Sequence, residues 1–161
     1  MAKKQKLSIE RRIEIFYAAL DASESFRDSC GLRVEDVYGG FEDWLHRSID
    51  ENWKVVAVTR DAASALIQSG FDMKLVQRAH QMKRVERYAK MIELPRENQY
   101  NFFIEQDQVT LTTRTENHKS GTAHWSEVLP LPPSIGHIGG SFRAYFTKPQ
   151  KTAFIEYFGA V

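Results

Sequence analysis

The chain changes its repeat at Pro95, and that change constrains the fold more than any other feature. Before Pro95, apolar residues recur at helical spacing; after it they fall into short β-branched or aromatic runs separated by turn residues. The sequence therefore predicts an α+β protein, with an N-terminal helical layer of about four helices followed by a C-terminal antiparallel β-meander of four to five strands. Its 161 residues suit a single domain, 1–161, with a helical sub-block over 8–94 and a β sub-block over 99–161.

Within the helical part, Ser8 reads as an N-cap and Gly31 as a stop, with Ile9, Ile13, Phe16, Tyr17 and Leu20 on one face between them. Phe41, Trp44 and Leu45 keep helical spacing in the next segment, and Trp44 and Trp53 read as core. Residues 53–58 suit a strand by their β-branching, but their helical surroundings favour a helix turn. Thr59 to Asp61 can cap a short helix through Gln68, which Ser69 and Gly70 end. Asp72 then caps a longer amphipathic helix over 73–94, whose outer side carries Lys83, Arg84, Arg87 and Lys90. Strands are expected at 101–104, 109–114, 124–129, 142–146 and 152–158, the last of which also suits a short helix. The proline- and glycine-rich stretch 130–140 is a loop of a length that more often serves function than connection.

A formal net charge of +1 excludes the bulk electrostatic footprint of a histone-like protein, so a nucleic-acid partner would be held by a local patch. Cys30 is the sole cysteine, which rules out an intramolecular disulfide and a cysteine-based zinc site and suits a reducing compartment. No signal-type apolar region follows the basic N-terminus, and no run approaches the roughly 18 apolar residues of a membrane span. A cytoplasmic protein with no membrane partner is the expectation.

The densest collection of reactive residue types is the stretch from Arg114 to Ser126. Side chains alternate along a strand, so burying Val109, Leu111, Trp125, Leu129, Phe142 and Phe146 would leave Arg114, His124, Ser126, Arg143 and Tyr145 on the opposite, polar sheet face. Histidine can act as acid or base near neutrality, and arginine can neutralise charge developing on a phosphate. Helices first and a meander afterwards, with His, Arg and Tyr on the sheet, resembles the scaffold of barnase-like and RelE-like nucleases. That resemblance implies a metal-independent nuclease as one function, with those five residues as its catalytic set. His118, His124 and His137 match no metal-ligand spacing, so neither metal nor cofactor is predicted. The two H-x-S tripeptides at His118 and His124 nearly abut, unlike the separated pair of two-histidine phosphoesterases. Lys119 to Thr122 lacks the full glycine-rich phosphate-loop pattern and reads as a hairpin loop.

Residues 62–84 resemble a helix-turn-helix with Gly70 at the turn, although Leu66 and Ser69 depart from its usual residue types. Its second helix would present Lys74, Arg78 and Arg84, with Arg87 beyond, to nucleic acid. The basic helix and the polar sheet face both suit a phosphate-rich partner. A nucleic-acid-associated binding protein is therefore the leading expectation, ahead of the nuclease. A non-catalytic protein-interaction subunit or homo-oligomer, using the proline-rich loop and the aromatic C-terminus, is the third.

Overall fold

The computed structural model describes residues 7–48, 54–118, 122–139 and 144–159. In chain order these form α1 (Ile9–Cys30), α2 (Val34–Ser48), β1 (Lys54–Thr59), α3 (Arg60–Gln68), β2 (Val76–His80), α4 (Arg84–Ile92), α5 (Arg96–Gln106), β3 (Gln108–Thr113), α6 (Arg114–His118), β4 (Val128–Pro130) and α7 (Lys148–Phe158), with 3-10 turns at Thr122–His124 and Pro133–Ile135. They fall into two compact units, one of residues 1–52 and 82–107, the other of 53–81 and 108–161.

The first unit is helical: α1 packs on α2 and α5, α2 on α4, and α4 on α5. Ser8 caps α1 by accepting from the Arg11 N–H, and Gly31 ends it at φ 61°. The Leu32 N–H reaches the Arg27 carbonyl and the Gly31 N–H that of Asp28, the paired bonds of a left-handed helix stop. Phe16 is the hub of the core, with its ring against Tyr17, Phe41, Tyr100 and Phe103. Inside the same unit Arg87 is fully buried. Its guanidinium donates to Asp107 at 2.5 Å and to Glu42 at 2.6 Å, and lies 4.5 Å from the centre of the Phe103 ring. Arg84 also donates to Glu42. A buried guanidinium is tolerated because carboxylates meet it on two sides. Trp44, expected in the core, is instead an exposed residue of α2.

The second unit is built on a four-stranded sheet in the order β2-β3-β1-β4. β1 and β3 run parallel, with a register shift between Val55 and Ala57, while β2 on β3 and β4 on β1 are antiparallel. The sheet is thus mixed rather than an antiparallel meander, and helices occur throughout the chain rather than only before the strands. Val55, Val58, Val76, Val109 and Leu111 share a core with Ala62, Ala63 and Leu66 of α3 and Phe154 and Phe158 of α7.

Four sequence expectations change for identifiable reasons. Residues 53–58 are expected as a helix turn, but 54–59 form β1, because the β-branched run gains a parallel partner in β3. The helix expected over 73–94 does not form. Gly70 and Phe71 both take positive φ, 66° and 70°, turning the chain so that Val76 to His80 pair with β3, and only 84–92 are helical. Phe71 tolerates that backbone because its side chain is buried against the Phe146 and Phe154 rings. With 76–80 a strand, no helix-turn-helix exists. The strand expected at 101–104 belongs to α5, which Pro95 opens and which buries Tyr100 and Phe103 together at helical spacing. The aromatic run 152–158 takes its helical alternative as α7.

Candidate functional site

Because β1 and β3 are parallel, Thr59 and Thr113 finish at the same end of the sheet, and β4 begins there with Val128 opposite Thr59. Thr113 leads there into α6 and Ser126 returns to it, and a residue not singled out from sequence, Glu116, fixes both. One carboxylate oxygen of Glu116 accepts from the Thr59 hydroxyl at 2.8 Å, the Thr113 N–H at 2.8 Å and the Thr113 hydroxyl at 2.9 Å. The other accepts from the N–H and hydroxyl of Ser126, both at 2.7 Å. Burial pushes the Glu116 carboxyl up, but the N–H and O–H of Ser126, the N–H of Thr113 and the hydroxyl of Thr59 outweigh it and hold it at about 2. Such a group is a fixed anion at neutral pH and has no proton to exchange. The Glu116 N–H also donates to the Thr113 hydroxyl, which completes a capping box at the start of α6. The Thr113-x-x-Glu116 spacing was the sequence signal for it.

Among the described residues the polar face expected from strand parity does not form, because only 128 and 129 of the segment 124–129 are strand and 122–124 is a 3-10 turn. Arg114 is exposed at the first position of α6, and His124 is exposed at the end of that turn. Ser126 donates to Glu116 and accepts from the Asp61 N–H, so its hydroxyl is engaged at the sheet end. Thr110 and Thr112, which alternate with Val109 and Leu111 along β3, are fully buried as well, so that strand has no polar face. Arg143, Lys119, Ser120 and Trp53 lie outside the described residues. Among the described residues no group of three or more His, Cys, Asp or Glu is placed to hold a metal ion, and no helix is long and apolar enough to cross a membrane.

A second arrangement gathers residues from both expected site sets. The Gly139 carbonyl accepts from the Arg78 guanidinium at 3.0 Å and from the Tyr145 N–H at 2.9 Å, tying β2 to the far end of the proline- and glycine-rich loop. Gln150 of α7 locks the same loop. Its amide NH2 donates to the Ile135 and His137 carbonyls at 3.0 and 2.8 Å, while its oxygen accepts from the N–H and hydroxyl of Thr147. Here too a capping spacing, Thr147-x-x-Gln150, was the available signal. Next to this frame the Lys151 ammonium lies 5.2 Å from the centre of the Phe71 ring, and that ring touches Phe146. Lys74, exposed, follows Phe71 by three residues, and Lys148 is exposed at the start of α7. Lys74, Arg78, Lys148 and Lys151 thus all belong to the unit that holds this aromatic core, as does Asp72, whose carboxylate accepts from the Lys74 N–H.

The whole-chain charge conceals this. Residues 53–81 and 108–161 hold nine Lys and Arg against five Asp and Glu, a net +4, whereas residues 1–52 and 82–107 hold thirteen against sixteen, a net −3. Of the four cations expected to meet nucleic acid, Lys74 and Arg78 belong to the basic unit. Arg84 and Arg87 belong to the acidic one, where they pair with Glu42. No family model, characterised protein or solved structure matches the chain.

Proposed function

We propose that this protein binds nucleic acid through its β-sheet unit, on the surface formed by Lys74, Arg78, Tyr145, Lys148 and Lys151. The observation that carries the reading is the segregation of charge, a net +4 on one unit of a chain whose total is +1. Phosphate backbones are bound by such local collections of lysine and arginine, and a small total charge does not oppose it. The exposed aromatic in the patch adds a group that bases can contact.

The test is fluorescence anisotropy of labelled oligonucleotides titrated with the full chain across a range of salt. Affinity should fall linearly on logarithmic axes, and Lys148→Ala with Lys151→Ala should flatten the slope by about 0.7 to 0.9 for each phosphate left without its lysine. A wild-type chain that shows no salt-dependent affinity for any oligonucleotide would sink the proposal. A defined oligomer in light scattering with no such affinity would favour the protein-interaction alternative.

A further inference from the structure

We infer that the ligand of this surface is the unpaired bases of a single strand, with Tyr145 as the ring on which a base stacks; the inference rests on the nucleic-acid reading above. The backbone from Ala144 to Phe146 is extended at an isolated bridge to Gly139, so its side chains alternate: Ala144 is 5% exposed, Tyr145 66% and Phe146 2%. Two buried neighbours thus anchor the main chain while the Tyr145 ring faces solvent.

The described residues beneath it are tied at Ile135, His137 and Gly139. The Tyr145 N–H and the Arg78 guanidinium meet on one carbonyl, Gly139. Gln150 holds the loop at Ile135 and His137, and Ile135 and Ile138 are buried. An aromatic side chain presented from so constrained a backbone has little freedom left to lose on binding, beyond its own two side-chain torsions. A duplex hides the faces of its bases and offers phosphates, for which Lys148 and Lys151 suffice and an exposed ring does nothing. An unpaired strand offers a base face for Tyr145 as well as phosphates for the cations of this unit, whereas a duplex offers only the second. Arg78 is a positioning residue here, since its donor to Gly139 keeps the bridge that carries Tyr145.

The experiment compares the full chain, Tyr145→Ala, Tyr145→Leu and Tyr145→Phe on labelled single-stranded DNA, single-stranded RNA and duplex DNA of the same mixed sequence at one salt concentration. The wild type should prefer a single strand. Tyr145→Ala and Tyr145→Leu should each lose roughly 5- to 100-fold on that strand, with little change on duplex, and Tyr145→Phe should retain most of the affinity. Preference for RNA or DNA identifies the sugar and leaves the inference standing. Equal binding of duplex and single strand, or a Tyr145→Leu chain that binds a single strand as the wild type does, overturns the inference while leaving the nucleic-acid reading intact. Absence of binding to all three oligonucleotides removes that reading itself.

Discussion

Replacing Glu116 with glutamine changes one oxygen to NH2 and should be among the most damaging isosteric substitutions in the chain. Each carboxylate oxygen accepts a backbone N–H, one from Thr113 and the other from Ser126. Whichever way an amide is turned, its NH2 therefore faces a backbone N–H that cannot rotate away, whereas the three hydroxyls can re-orient. The native carboxyl is held at about 2 against an ordinary 4.5. That difference corresponds to about 3 kcal/mol of stability at neutral pH. The folded value lies below the unfolded one, so the contribution is fully present above pH of about 4.5 and is lost as the pH falls toward about 2. By about pH 3 roughly 2 kcal/mol of it has gone. Urea unfolding of the wild type and Glu116→Gln, followed by circular dichroism, should show a gap of about 2 to 4 kcal/mol near neutrality that narrows by about half in acid. A gap below about 0.5 kcal/mol, or one that does not change with pH, would refute the assignment of Glu116 as the buried acceptor of the sheet end.

Two further substitutions test the helical unit. Arg87→Met removes the cation shared by Glu42 and Asp107 and should cost about 3 to 5 kcal/mol in urea unfolding; a cost near zero would show that the carboxylates do not depend on it. Gly31→Ala meets no atom within 4 Å of the added Cβ, so its cost is conformational, about 1 kcal/mol from the φ of 61°. A drop in melting temperature of several degrees, smaller with Gly31→Asn, would be the expected reading.

Local signals in this sequence were legible wherever one element decides its own ends. Ser8, Gly31, Thr59 and Gln68 delimit α1 and α3 as expected, because caps and stops act within a turn of the helix. Signals failed where a distant partner decides. Val76 to His80 have helical neighbours on both sides and become a strand only because β3 offers them a ladder. The apolar spacing of 101–104 suited a strand until Phe103 found Phe16 and Phe41 in the helical core. Parity along 124–129 failed for the same reason, since Glu116 holds the chain at Ser126 in a non-strand path. Tyr145 is a partial exception. Its outward direction followed from placing Phe146 on the buried side, and Phe146 is buried while Tyr145 is exposed at the bridge to Gly139.

The cations show why residue type alone does not locate a binding surface. Arg78, Arg84 and Arg87 would follow one another on the outer side of a basic helix, and as sequence they are equivalent. In the fold they are sorted by the oxygens they donate to: Arg84 and Arg87 to the Glu42 carboxylate inside the helical unit, Arg78 to the neutral Gly139 carbonyl at the base of an exposed loop. A carboxylate partner cancels the charge of a guanidinium locally, whereas the bond to a carbonyl holds the group in place. The bond to Gly139 therefore holds Arg78 on the same carbonyl that the Tyr145 N–H meets, in the unit whose net charge is +4.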